Sequence, residues 1–282
     1  MIEIIYENSD QTGFFTAALD EIKFEYRLRR ISELELDLAQ PPDEILYINL
    51  ISQSEKIVRH DKALLFGEQY LEYLATYNRR VINDYRTFNY QISRVEQIKL
   101  FKRNGLAYPQ TLFGAEKERL LEAAQKMPTP FVTTHNLPTS DIGKEFFNDV
   151  AEFESFLESE RFVASPDGIM LLQEFIKPKD NKITKVAIID GQLVYAYQIE
   201  FTNNDENKYI YLPDFKHQLI SKYIEISKQV GYDIATFEYI EATNGAVYTC
   251  AIDGLGEYPK EIEEISDYKA KKAFLAFIGK LI

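Results

Sequence analysis

Cysteine is almost missing from this chain, and that bounds its chemistry first. A single residue, Cys250, in 282 rules out an internal disulfide. Cys250 lies in an apolar β-type run, which reads as core rather than as a nucleophile. Histidine is also scarce. His60, His135 and His217 stand apart, and without clustered companions they point to neither a zinc site nor a nucleophilic triad. No long Lys/Arg-rich run appears and the formal net charge is −13, so a phosphate backbone would be repelled and nucleic acid is not an expected partner. The apolar stretches are a few residues long, well short of the ~20 that cross a bilayer, so no membrane span is expected. The sequence shows no charged, apolar, small-residue leader, which argues against export and for a cytoplasmic location. Internal repeats and low-complexity segments are absent as well.

What is present is a folded protein with 45% hydrophobic residues, enough for a core divided among two or three compact units. The run Ile2–Tyr6, the Asn8, Ser9 and Asp10 cluster, and Phe15, Ala18, Leu19 and Ile22 at helical spacing predict a strand, a capped turn and an amphipathic helix. Pro41 and Pro42 break the chain before a second strand over Ile45–Ile48, and a helix follows through Leu64, Leu71 and Leu74. Residues 1–80 are therefore one α/β unit. Ile92, Val95 and Ile98 predict a helix that Asn104 and Gly105 stop. From Pro109 to about Leu157 short strands alternate with helices, giving a small central unit over 81–167. From Gly168 on, the runs Met170–Ile176, Ile183–Ile189, Leu193–Tyr197, Thr236–Ile240 and Ala246–Ile252 predict an antiparallel sheet, closed by a helix whose Ala270, Ala273, Phe274, Phe277, Ile278 and Leu281 share one face. This makes 168–282 the last unit. The 19 tyrosines fit either a peptide-binding surface or ordinary packing.

Three segments in fixed order, residues 80–112, 168–197 and 232–253, carry motifs that together resemble the ATP-grasp superfamily. Within it the chain resembles the ribosomal-protein glutamate ligase-like (RimK-type) ATP-dependent carboxylate–amine ligases. The resemblance runs from the first unit, with Pro41 and Pro42, Ser52, Arg59 and His60, to Asp253. It implies an α/β (α+β) ATP-grasp fold with an N-terminal Rossmann-like pre-ATP-grasp domain, a small central lobe and a C-terminal antiparallel-sheet lobe. It also implies a nucleotide, ATP, with Mg2+ between the two lobes, and activation of a carboxylate as an acyl phosphate that an amine then attacks.

Residue by residue, the resemblance places the adenine-reading hinge on Leu172, Gln173, Glu174, Phe175 and Ile176. Lys185 takes the place of an arginine directed at phosphate or the substrate carboxylate, keeping the charge but losing the planar two-pronged donor. Read without the resemblance, Lys185 is a solvated strand-end charge. Arg94 takes the place of the first phosphate-binding lysine, in a stretch, 86–103, whose other charges are Arg86, Lys99, Lys102 and Arg103 against Glu96. Magnesium ligands fall on Glu238 and Asp253, with Ala251 where a bridging carboxylate is expected. The glycine-rich phosphate flap falls on Thr134 to Gly143, of which only Asn136, Ser140 and Gly143 match. Thr134 replaces the second lysine, Pro138 removes a donor, and Asp141 adds negative charge. Two expectations follow: a ligase for a peptide or amino-acid substrate with impaired or altered activity, or a catalytically inactive ATP-grasp module, free of cofactor, that binds a peptide or an active partner protein. Homo-oligomerisation is open in both.

Overall fold

A computed structural model describes residues 1–51, 61–137, 144–202 and 207–282. Ser52, Arg59, His60 and the flap positions 138–143 lie outside the described residues.

The N-terminal unit forms around Ile2–Tyr6 and Leu46–Leu50, short and mostly apolar runs that must be covered on both faces. Strands β1 (Ile2–Tyr6), β2 (Tyr26–Arg30), β3 (Leu46–Leu50) and β4 (Arg80–Ile82) form a parallel sheet in the order β2-β1-β3-β4. Helices α1 (Gly13–Glu21) and α2 (Asp61–Thr76) connect its strands. The sheet ends at Asn83, whose left-handed backbone (φ 55) turns the chain out. Its buried side-chain amide donates to Ile234 O at 2.8 Å and to Gly254 O, and its oxygen accepts from the Asp233 and Ile234 N–H groups at 2.9 and 3.1 Å. One side chain thus ties the first unit to the last.

The single helix predicted after residue 83 is two: α3 (Tyr85–Ile92) and α4 (Arg94–Arg103). Ser93 breaks it. Its backbone is extended (φ −134, ψ 117), and its hydroxyl caps α4 by accepting the Glu96 N–H at 3.3 Å. Gly105 closes α4 in the left-handed region, φ 64.

The central sheet contains β5 (Thr111–Gly114), β6 (Phe131–His135), β7 (Glu145–Phe147) and β8 (Met170–Glu174), antiparallel in the order β5-β8-β6-β7. Met170–Glu174, read from sequence with the C-terminal strands, is in fact a central strand here. Alternation divides β8 between two environments. Met170 and Leu172 join Phe131, Phe147 and Phe153 in a core beneath α5 (Lys117–Ala124) and α6 (Val150–Leu157), whereas Leu171 and Gln173 face the other way.

The last sheet, order β11-β10-β9-β12-β13, is antiparallel and contains β9 (Lys182–Ile189), β10 (Gln192–Glu200), β11 (Lys208–Leu212), β12 (Ile234–Glu241) and β13 (Val247–Asp253). One face packs on α7 (Leu219–Val230) through Val186, Ile188, Ala235 and Phe237. The other shares a core with β1, β3 and α1, sealed by α9 (Lys269–Leu281), which follows α8 (Lys260–Ile265). Many tyrosines serve packing: Tyr47, Tyr195, Tyr197, Tyr223 and Tyr232 are all buried. Among the described residues no helix is long and apolar enough to cross a membrane.

Candidate functional site

Where the central sheet and the last sheet face each other, they enclose a cavity of about 520 Å³, within the range of small-molecule sites. Its walls bring together Arg94 from α4, Gln173, Glu174, Phe175 and Ile176 from β8 and its extension, and Glu238 from β12. Lys185 and Asp253 do not line it. Lys185 is the direct partner of Glu238 on the neighbouring strand β9, and Asp253 lies two residues past Ala251 on β13.

Each wall is fixed by local structure. The β8 segment is pinned from both sides: Gln173 Nε2 donates to Thr111 Oγ1 at 3.0 Å, the Glu174 N–H to Gln110 O at 2.8 Å, and the Phe175 N–H to Pro130 O at 3.2 Å. Phe146 from β7 packs edge-on against Phe175, ring centroids 5.1 Å apart, and Ile98, Val132, Leu171, Ile183 and Ile240 make the interior apolar. Arg94 is placed by Asn136. The Asn136 Oδ1 accepts from Ser93 Oγ at 3.0 Å and from the Val95 N–H at 2.9 Å, and its carbonyl takes the Arg94 N–H at 2.9 Å. Asn136 in turn donates to Asp167 Oδ2 at 2.6 Å. The residue that matched the flap pattern is therefore a bracket for the start of α4. Of the neighbouring cations, Arg86 pairs with Asp84 and Lys99 with Glu96, both on the solvated surface.

On the opposite wall, register sets a row across four strands: Tyr197 on β10, Lys185 on β9, Glu238 on β12 and Ala251 on β13. Lys185 Nζ lies 2.9 Å from Glu238 Oε2 and 2.7 Å from Glu257 Oε1, and the Tyr197 hydroxyl is 3.4 Å from Glu257 Oε2. Burial works against the Lys185 charge, but the two carboxylates outweigh it and hold its pKa above the usual lysine value. Burial likewise pushes Glu238 up, yet Lys185, and beyond it Arg94 and Lys144, hold its carboxyl below the usual range. Asp253 behaves oppositely: burial and the Glu257 charge push it up to about 6, despite the Leu255 N–H donated to its Oδ1 at 2.8 Å. Lys185 is thus a buried, doubly paired cation rather than a solvated strand-end charge.

Two residues here carry no signal in the sequence, and a third stands elsewhere than its pattern predicts. Lys144 reaches the cavity just past the flap, with Thr134 also in the wall, and no motif marked it. Glu257 belongs to the loop after β13, where only folding brings it onto Lys185. Cys250 was expected in the core. It is half-buried and lines the cavity, because a bulge at Glu238/Tyr239 inserts it opposite that step. Its surroundings push the thiol pKa up, which keeps it a poor nucleophile.

The donors fit a divalent ion poorly. Glu238 is already neutralised by Lys185, Ala251 offers a methyl where a bridging carboxylate would be needed, and Asp253 already accepts the Leu255 N–H. Among the described residues no three histidine, cysteine or acidic side chains converge to hold a metal.

No family model matches the sequence, and no curated protein matches it closely enough to count as a relative. Solved structures do match. The ATP-grasp ligase PsnB complexed with its minimal precursor aligns with TM-score 0.68 and 12% identity over 97% of this chain and 98% of that one. A RimK domain ATP-grasp protein from Sphaerobacter thermophilus gives 0.67 and 14% over 96% and 98%. The D-alanyl-alanine synthetase A of Vibrio cholerae gives 0.72 and 10% over 98% and 96%.

Proposed function

Because the chain carries the ATP-grasp fold, we propose that its interlobe cavity takes an adenine nucleotide, and that the protein is an ATP-grasp relative of carboxylate–amine ligases, directed at a peptide or amino acid, with its ligase turnover impaired. The observation that carries this reading is the cavity itself, which unites the Gln173–Ile176 wall with Arg94 on one side and Glu238 on the other. The apolar interior and the Phe146–Phe175 pair suit a flat base, while Arg94 and Lys144 supply positive charge for phosphates, Arg94 through a two-pronged guanidinium. PsnB, seen with a precursor peptide, supports a peptide as the second ligand. In this reading residues 1–80, 81–167 and 168–282 act as the three working parts, with β8 lent to the middle one, in a cytoplasmic setting.

Impairment is supported by the Lys185 row. Acyl-phosphate chemistry depends on charge stabilisation around the transferring phosphoryl group. Magnesium would supply that charge, and the residues here do not offer it a place. What this chain's own groups do is orient the nucleotide and present Arg94 to its phosphates. The same row favours a second reading, an inactive module that binds a peptide or an active partner protein.

Isothermal titration with ATP and a non-hydrolysable analogue, followed by phosphate release in the presence of candidate peptides and amino acids, tests this. Micromolar binding with little release is the expected result. Absence of binding at millimolar nucleotide removes the nucleotide reading, and brisk release with one acceptor removes the impairment.

A further inference from the structure

The centre beside the cavity already contains a cation, and it is covalently part of the chain. Lys185 rises from the middle of β9, between β10 and β12, and is 9% exposed. Its ammonium closes on Glu238 at 2.9 Å and Glu257 at 2.7 Å, so two of its three N–H groups are committed. Glu257 is itself held in place: its backbone N–H donates to Thr236 Oγ1 at 3.2 Å, and Tyr197 reaches its carboxylate from the neighbouring strand. Ala251, level with Glu238, presents nothing that could share a divalent ion.

We infer that Lys185 is the resident cation of this centre, standing where a divalent metal would otherwise be held by Glu238 and Glu257, so that ligand binding in the cavity does not depend on divalent metal. The second half of this inference rests on the nucleotide reading above; the first half does not. A magnesium ion would have to displace the ammonium from two partly desolvated carboxylates at once, and would then sit within a few ångströms of the displaced positive charge. Arg94 and Lys144, on the cavity wall, provide positive charge for phosphate oxygens without an ion.

Manganese titration of the full chain, followed by electron paramagnetic resonance and without nucleotide, tests the first half. The wild-type protein is expected to leave manganese free, Lys185→Met to take up about one ion per chain, with its thermal midpoint rising as manganese is added, and Lys185→Arg to take up none. Manganese bound tightly by the wild type and lost in Glu238→Gln overturns the inference, as does a folded Lys185→Met protein that binds none. Should Lys185→Met fail to fold, the wild-type and Glu238→Gln titrations decide the matter. For the second half, ATP affinity in EDTA within about twofold of that in saturating magnesium supports metal independence, and ATP binding seen only with magnesium overturns it. If no nucleotide binds under either condition, the nucleotide reading fails, while the manganese titration still decides what holds the cation's place.

Discussion

A methyl group stands at Ala251, level with Glu238 across β13, and beside them Lys185 spends its charge on two carboxylates. Removing the ammonium leaves Glu238 and Glu257 facing each other uncompensated. Lys185→Ala is expected to destabilise the protein toward the lower end of the about 3–5 kcal/mol typical of broken buried pairs, because the Glu257 side chain is 39% exposed and screened by solvent. Urea unfolding of the two proteins measures it, and an unchanged midpoint would show that the pair contributes nothing. Asp253 gives the opposite pH behaviour to Glu238. The folded pKa of Glu238 is depressed, so its contribution is present above the ordinary carboxylate value and is lost as pH falls through the folded one. Asp253 is raised from 3.8 to about 6, so its ionisation costs stability above that pH, and the cost disappears as pH falls below its ordinary value. Asp253→Asn is therefore expected to stabilise the protein at pH 7–8, with the gain shrinking to nothing below about pH 4. Thermal midpoints across pH check this. A gain that persists at acid pH would point to packing rather than charge.

Two helices and one loop act as a positioning device. The α3–α4 break at Ser93 lets Arg94 leave the helix axis toward the cavity, and Asn136 from the end of β6 fixes the break with three backbone and hydroxyl contacts. Asn136→Ala removes the Oδ1 that accepts from the Ser93 hydroxyl and the Val95 N–H, part-buried groups whose loss costs about 1–3 kcal/mol each at most, while the Arg94 N–H keeps its bond to the main-chain carbonyl. The expected outcome is a measurable loss of stability together with weaker ATP binding, as the turn at Ser93 and Val95 that flanks Arg94 loosens. Calorimetry on the variant checks both. Weakened stability with unchanged nucleotide affinity would show that Arg94 is not a phosphate ligand. Asn83, which ties the end of β4 to β12, plays a comparable joining role with its left-handed backbone.

At the scale of the whole molecule, the N-terminal sheet and the C-terminal sheet are covered by one apolar core that α9 seals, whereas the central lobe has a core of its own beneath α5 and α6. Truncation before Lys269 would remove Phe274, Phe277 and Ile278 and expose the strands they cover, at a cost of several kcal/mol by ~25 cal/mol per Å² of apolar surface. The truncated chain is expected to be insoluble. Hydrogen exchange should show the central-lobe amides of β6 and β8 opening as a separate unit from β1, β3 and β9; one common opening energy for all five strands would contradict this.

The sequence by itself determined most of the local architecture. Ile2–Tyr6 forms the strand its apolar run predicts, Gly105 closes α4 where a left-handed residue was needed, and the C-terminal runs pair antiparallel. These are consequences of side-chain periodicity and backbone preference within a few residues. Arg94, Gln173, Glu174, Phe175, Ile176 and Glu238 were legible as a set because the motifs fall in a fixed order. Only the tertiary structure decided that β8 belongs to the central sheet, that Ser93 divides a continuous helical pattern, that a bulge turns Cys250 into the cavity, and that Glu257 completes the grip on Lys185. Each of these depends on register or on a partner tens of residues away, and such contacts are selected by how three sheets close on their cores rather than by any property of the local sequence.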